Sequence, residues 1–265
     1  MRLALAAALL AGAASAEEIS LEDVPRIAAD VVILGEVHDN PGHHLNQAAA
    51  VAAVAPKALV FEMFGPQAAL RVKPGMAFSP DALAEALGWA DSGWPDFAYY
   101  HPIFVAAPEA AIFGGDLPRD QVRQAVMDGA AEVFGPGAAL FGLDAPLPED
   151  EVAEREQLQM EAHCNALPES MASGMVEAQR LRDAALAQAV VAAMADTGGP
   201  VVLITGNGHA RRDWGVPRML ERVLPDASVV TVAQYETAAP EDPPFDYWFV
   251  TPAAPRDDPC DAFAK

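Results

Sequence analysis

Val31-Val32-Ile33-Leu34-Gly35-Glu36-Val37-His38 opens with four large aliphatic residues and closes on a carboxylate and an imidazole two residues apart. A strand covered on both faces has no reason to alternate polar with apolar, so an unbroken β-branched run bounded by Gly reads as a buried strand of a parallel sheet. In open α/β sheets, ligands bind outside the C-terminal ends of such strands. Two later runs end in the same manner. Ala58-Leu59-Val60-Phe61 leads into Glu62, and Val201-Val202-Leu203-Ile204 leads into Thr205-Gly206-Asn207-Gly208-His209. Three strand ends are therefore expected to deliver Glu36, His38, Glu62 and His209 to one edge of one sheet.

The rest of the chain fits around these strands. Further strands are expected at 110–113, ending in Gly114-Gly115-Asp116, at 228–233 and, at the edge, at 247–250. Helices are expected at 43–55, from Pro80 to Leu87, near 102–110, at 118–130 and at 218–223. The aromatic stretch 88–101 reads as irregular. From Pro148 to Met194 the sequence is rich in Glu, Gln, Arg and Ala, breaks at Leu167-Pro168 and carries no strand signal. Strands alternating with helices indicate α/β, a mainly parallel sheet covered by helices, and the uninterrupted helical tract reads as an inserted all-helical subdomain. The expected organisation is a signal peptide at 1–16, a sheet domain at 17–147 and 196–250, a helical subdomain at 148–195 and a Pro-rich tail at 251–265.

The chain has 265 residues and is 52% hydrophobic, enough for one large core. Asp+Glu number 38 against 16 Lys+Arg, a formal charge of -22, which repels nucleic-acid phosphates and anionic lipid. Met1-Arg2, the apolar stretch Leu3–Ala14 and the small-residue site Ala14-Ser15-Ala16 read as a secretory signal peptide. The apolar stretch is shorter than the roughly 20 residues a membrane-spanning helix needs. An exported, periplasmic protein is expected, with no lipid-attachment Cys after the leader. Cys164 and Cys260 are then expected to pair; the alternative is two free thiols.

Glu62 follows four apolar residues, and a carboxylate desolvated beside a second one suits acid–base work; the alternative is a structural pair with an Arg. Gly206 and Gly208 allow close backbone approach around His209. Arg119 follows the third strand at the same edge and is a candidate for binding an anionic group, such as a propionate or a substrate carboxylate. Arg180 and Asp183, one turn apart, read as a helix-face pair. Met160, Met171 and Met175 read as core packing. No nucleophile-elbow Ser, P-loop or H-E-x-x-H occurs.

Leu34-Gly35-Glu36-Val37-His38-Asp39-Asn40 with His43-His44 and Gln47, Phe61-Glu62-Met63, and Gly206-Asn207-Gly208-His209 with Gly215-Val216-Pro217 together resemble the ChaN family. So do Glu161-Ala162-His163-Cys164, Leu167-Pro168 and Gln179-Arg180-Leu181-Arg182-Asp183. The resemblance implies a haem-binding protein linked to iron uptake, with haem or another small molecule as ligand and a possible homodimer. In that family iron is held by a Tyr, with haems stacked between two subunits. The resemblance makes Tyr100, in Tyr99-Tyr100-His101-Pro102, a candidate ligand and His163 a candidate contact. The wider superfamily includes erythromycin esterases and Tiki/TraB-type proteins. It implies an alternative, a hydrolase using Glu36, His38, Glu62 and His209, with a divalent metal as a possible cofactor.

Overall fold

The computed structural model describes residues 16–20, 22–24, 27–258 and 260–261, so the expected signal peptide lies almost wholly outside the described residues. Seven strands form one sheet: β1 (Glu17–Glu18), β2 (Val31–Glu36), β3 (Ala58–Phe61), β4 (Ala111–Gly114), β5 (Val201–Gly206), β6 (Val229–Tyr235) and β7 (Tyr247–Val250). Their spatial order is β1-β7-β6-β2-β5-β3-β4, and every pairing is parallel. β2 lies between β5 and β6, and all six of its residues are buried. Its lack of polar alternation follows from that central place.

Side chains alternate across the sheet with period two. Val32, Leu34, Leu59, Phe61, Val202 and Ile204 enter one core. Val31, Ile33, Ala58, Val60, Val201 and Leu203 enter the other. The helices that precede β4 are α1 (Pro41–Val54), α2 (Pro66–Ala69), α3 (Pro80–Leu87) and α4 (Phe97–Ala106). These contribute buried residues to the first core. After β4 come α5 (Arg119–Asp128), α6 (Ala130–Phe134), α7 (Glu149–Ala162), α8 (Ala172–Thr197), α9 (Asn207–Ala210) and α10 (Val216–Val223). Buried residues of α5, α6, α8, α9 and α10 supply the second.

Helix α4 corrects the expectation of an irregular stretch before residue 102. The Asp96 carboxylate accepts the Ala98 N–H as an N-cap. Phe97, Tyr100, Ile103 and Phe104 recur at helical spacing and are all buried. Pro102 sits inside the helix, at a cost of about 3 kcal/mol. Each large apolar side chain buried gains about 1.5–3 kcal/mol, so four of them outweigh one proline.

The helical tract expected between strands holds α7 and α8, with a short 3-10 turn at Glu169–Met171. Helix α8 has 26 residues, about 39 Å at 1.5 Å per residue, roughly twice the length of a six-residue strand. Its C-terminal half covers β3 and β5 through Ala184, Ala187, Val190 and Ala193. Thr197 ends it at the N-terminal edge of the sheet, where its carbonyl accepts from Lys57 Nζ. The N-terminal half therefore rises past the opposite edge, where the strand-end Glu and His residues stand. The tail crosses that same edge. Pro252 O accepts from Asn40 Nδ2, Ala254 N–H donates to Glu236, and Arg256 bonds Glu236 and Asp39. Cys260 then joins Cys164 in the expected disulfide, tying the tail to the end of α7. Among the described residues, no helix is long and apolar enough to cross a membrane.

Candidate functional site

Glu36 ends β2 fully enclosed. Its Oε1 accepts from the Tyr100 hydroxyl at 2.7 Å and faces His38 Nδ1 at 2.8 Å. Its Oε2 accepts from Gln47 Nε2 at 2.8 Å and lies 3.4 Å from His44 Nδ1. Gln47 Nε2 also donates to the Leu34 carbonyl, which fixes the amide with its Oε1 3.2 Å from His44 Nδ1. His44 Nε2 lies 2.9 Å from the His38 carbonyl, which can only accept. Both His44 nitrogens thus face acceptors, the arrangement of an imidazolium. Burial pushes the His44 pKa down, but Glu36 outweighs it and the net direction is up. Burial likewise pushes Glu36 up, yet His38 and His44 hold it at about 2.

Glu62 follows β3 as the second buried carboxylate. Its Oε2 accepts from Thr205 Oγ1 at 2.7 Å and from the Gly206 N–H at 2.8 Å. Its Oε1 lies 2.7 Å from Arg182 Nη2, 3.4 Å from His209 Nε2 and 4.0 Å from His38 Nε2. Burial raises Glu62, but the cations of His209, His38 and Arg182 hold it well below the ordinary carboxylate value. His209 lies on α9, directly after β5, with Nδ1 2.6 Å from Asp183 Oδ1. Burial opposes its protonation, while Glu62 and Asp183 favour it and lift it to about 9. Burial raises Asp183 against the pull of His209. Asp183 Oδ2 and Arg155 Nη2, 3.9 Å apart, are the buried side-chain atoms with no hydrogen-bond partner among the described residues.

The centre opens to solvent at His38 and Arg182, whose side chains are 36% and 27% exposed. Trp94 stands edge-on to His38 at 4.7 Å. A Cβ on Gly206 would come within 2.8 Å of His38 Nε2, so this position needs Gly for His38 to lie across β5. Glu36 orients His38 through Nδ1, and its Nε2 lies 4.0 Å from the buried Glu62 Oε1. An imidazole oriented by a carboxylate, beside a guanidinium, can bind an anionic oxygen and exchange a proton with it. Among the described residues, no three His, Cys, Asp or Glu side chains are grouped to hold a metal ion.

The four strand-end residues predicted to meet are adjacent in the structure. Three other predicted positions are not part of this opening. Tyr100 is sealed beneath Glu36, fully buried, and burial and the Glu36 charge push its phenol far up. Its hydroxyl is spent holding the Glu36 carboxylate. Arg119 begins α5 and donates to the Ser92 carbonyl at 2.8 Å. His163 lies at the end of α7, partly exposed. The expected Arg180–Asp183 pair is also corrected. Arg180 bonds Glu177 and the carbonyls of Gly142, Leu143 and Ala145, while Asp183 turns to His209. Arg182, Asp183, His44, Gln47 and Thr205 were not recognised as site residues. The available signal for Asp183 was a carboxylate among Leu181, Ala184, Ala185 and Leu186 on an otherwise apolar helix face. A groove of about 1080 Å³ lies elsewhere, along the open edge of β4 against Leu70, Phe104 and Ala189. It is lined by none of the predicted site residues.

The profile of the family described as haem-binding uptake, Tiki superfamily, ChaN matches residues 27–220. No curated protein matches the chain by sequence. Among solved structures, ChaN of Campylobacter jejuni, described with cofacial haem binding, superposes with a TM-score of 0.65 at 20% identity, covering 86% of this chain and 91% of that one. The type III effector HopBA1 is more distant, with a TM-score of 0.40 at 12% identity over 88% of this chain and 92% of that one. The family profile spans every strand end of the Glu/His centre, and this chain belongs to the haem-binding ChaN family of the Tiki superfamily.

Proposed function

We propose that this protein is an exported haem-binding protein that serves haem or iron acquisition, with a homodimer as its haem-loaded form. The family match from Ile27 to Leu220 carries the reading. The Cys164–Cys260 bond supports export, because disulfides persist in oxidising compartments. Haem iron takes its protein ligand from a side chain that the macrocycle can reach. Tyr100 is buried beneath Glu36, and His163 is partly exposed. The test is titration of the purified mature chain with haemin, followed by absorbance and by sedimentation. A saturable new spectrum with dimer formation is expected. Binding no better than to an unrelated acidic protein would sink the reading.

A second reading, hydrolysis of an ester or peptide, is favoured by one observation. His38 is oriented by Glu36, its side chain is partly exposed, and it and Arg182 both face Glu62 Oε1. In this reading His38 exchanges the proton, Arg182 binds the developing oxyanion, and the Glu62–His209–Asp183 chain holds the floor in place. A panel of ester and peptide substrates tests it. His38→Ala should abolish turnover without moving the melting temperature by more than a few degrees, and activity unchanged in that variant would remove the reading.

A further inference from the structure

The two edges of the sheet are finished differently. On one side β1 covers β7 with Glu17 and Glu18, both exposed, and an acidic edge resists pairing with a further strand. On the other side β4 reads Ala111-Ile112-Phe113-Gly114, with no charge and no Pro, and among the described residues β3 is its only neighbour. The Ala111 N–H donates to the Lys57 carbonyl and the Gly115 N–H to the Phe61 carbonyl, each at 2.9 Å. Successive backbone groups of a strand point to opposite sides in the plane of the sheet. Those of Ile112 and Gly114 are therefore turned to the open edge, where no described residue bonds them.

The groove of about 1080 Å³ runs along this edge. Leu70, Leu83 and Phe104 line one wall, and Ala185, Ala189 and Ala192 of α8 line the other. Leu70 is 77% exposed, so part of the apolar wall stands open to water. Unpaired strand groups between two apolar walls are what an added strand needs. Its amides bond β4, and its side chains, alternating with period two, meet one wall and then the other. A second folded copy would bring the helices that flank its own sheet against these walls, whereas a single extended segment enters between them.

Charge narrows the occupant. Lys57 and Lys73 are the lysines among the described residues, both line the groove, and neither forms an ion pair there. Glu109, Asp116 and Asp196 also line it, so the rim is close to neutral in a chain of net charge -22. The rest of the surface repels an acidic guest; here two unpaired ammonium groups are free to meet its carboxylate.

We propose that the β4 groove binds an extended, apolar polypeptide segment carrying an acidic residue, which joins the sheet as a strand beyond β4. This site is separate from the Glu/His centre and stands independently of the haem reading.

The probe is a fluorescein-labelled peptide of alternating valine and threonine ending in aspartate, titrated by anisotropy into the purified mature chain. Amide hydrogen exchange is read by NMR with and without the peptide. Saturable binding is expected, with exchange at the Ile112 and Gly114 amides slowed at least about tenfold, while Phe113, already bonded to β3, changes little. Ile112→Pro removes an N–H that β3 does not use, so the fold should persist while affinity falls at least about tenfold. Lys73→Glu, at an exposed position, should also weaken binding and tests the charge without touching the strand. No saturable binding, or unchanged affinity in both variants, would overturn the proposal. Binding without protection of Ile112 and Gly114 would overturn it in favour of an apolar ligand. A dimer in sedimentation that Ile112→Pro abolishes would overturn it in favour of a second copy.

Discussion

His43 and His44 are neighbours with opposite preferences for a proton, and their bonding partners explain why. His43 Nδ1 accepts the Val37 N–H at 2.9 Å, which leaves Nε2 to donate to Thr251 Oγ1 at 2.7 Å. A ring that must accept on one side has no use for a second proton, and burial lowers its pKa from 6.5 to about 4. His44 faces acceptors on both sides and is shifted upward. The linkage signs are opposite. His43 binds a proton less readily folded than unfolded, so its contribution to stability is lost as pH falls from 6.5 towards about 4. His209 binds one more readily folded, so its contribution is full below 6.5 and is lost as pH rises through about 9. Thermal melts should show a falling melting temperature between pH 6.5 and 4.5, and His43→Gln should flatten that fall. An equally steep fall in the variant would reassign it to other groups. Asp183→Asn removes one of the two charges that hold the His209 proton, so its pKa should drop by about one to three pH units in an NMR titration of the ring. No drop would mean that Glu62 alone holds it. His38, Glu36, Glu62 and His209 were legible because each ends or closely follows an apolar run. Asp183, Arg182 and His44 were not, because their partners lie on other elements.

Helix α4 shows where local pattern misleads. Its residues are apolar nearly all round and include Pro102, so neither periodicity nor propensity marks it as a helix. The cap and the core decide. Asp96→Ala removes the side-chain acceptor for the Ala98 N–H and should cost about 1 kcal/mol in urea denaturation, with the denaturant slope unchanged. A loss near zero would show that packing of Phe97 and Tyr100 holds the helix start without the cap. Helix α8 was legible as a helix but not in its double use. One half covers the sheet, and the half beyond the strand ends brings Arg182 and Asp183 to the centre from above. Which face of a long Ala-rich helix meets the sheet depends on the partner surface, and the helix's own sequence does not state it.

The disulfide couples the two ends of this architecture. It spans 96 residues between the cap corner and the tail. In the chain-entropy account a loop of that size is worth about 4–5 kcal/mol. Non-reducing mass mapping should recover a Cys164–Cys260 peptide, and Cys260→Ser should lower stability by an amount approaching that figure. A variant as stable as wild type would mean that the tail is held by Arg256, Glu236 and Asp39 without it. The net charge of -22 bears on partners and not on fold, since the acidic residues lie mostly outside the two cores.

The amino-acid order was enough to specify the buried parallel strands, the strand-end Glu and His residues and the helical tract, and to make a cysteine pair the expectation over two free thiols. Each of these is written locally, as an apolar run, a terminal residue, a helical composition or a count of thiols. What required the folded chain was everything that joins distant segments. Tyr100 became a buried support for Glu36 and Asp183 an anchor for His209, while Met160, Met171 and Met175, expected in the core, joined neither hydrophobic core. A side chain's neighbours across the sheet are set by packing between elements far apart in sequence, and that packing fixes whether its polar atom is spent within the fold or left for a ligand.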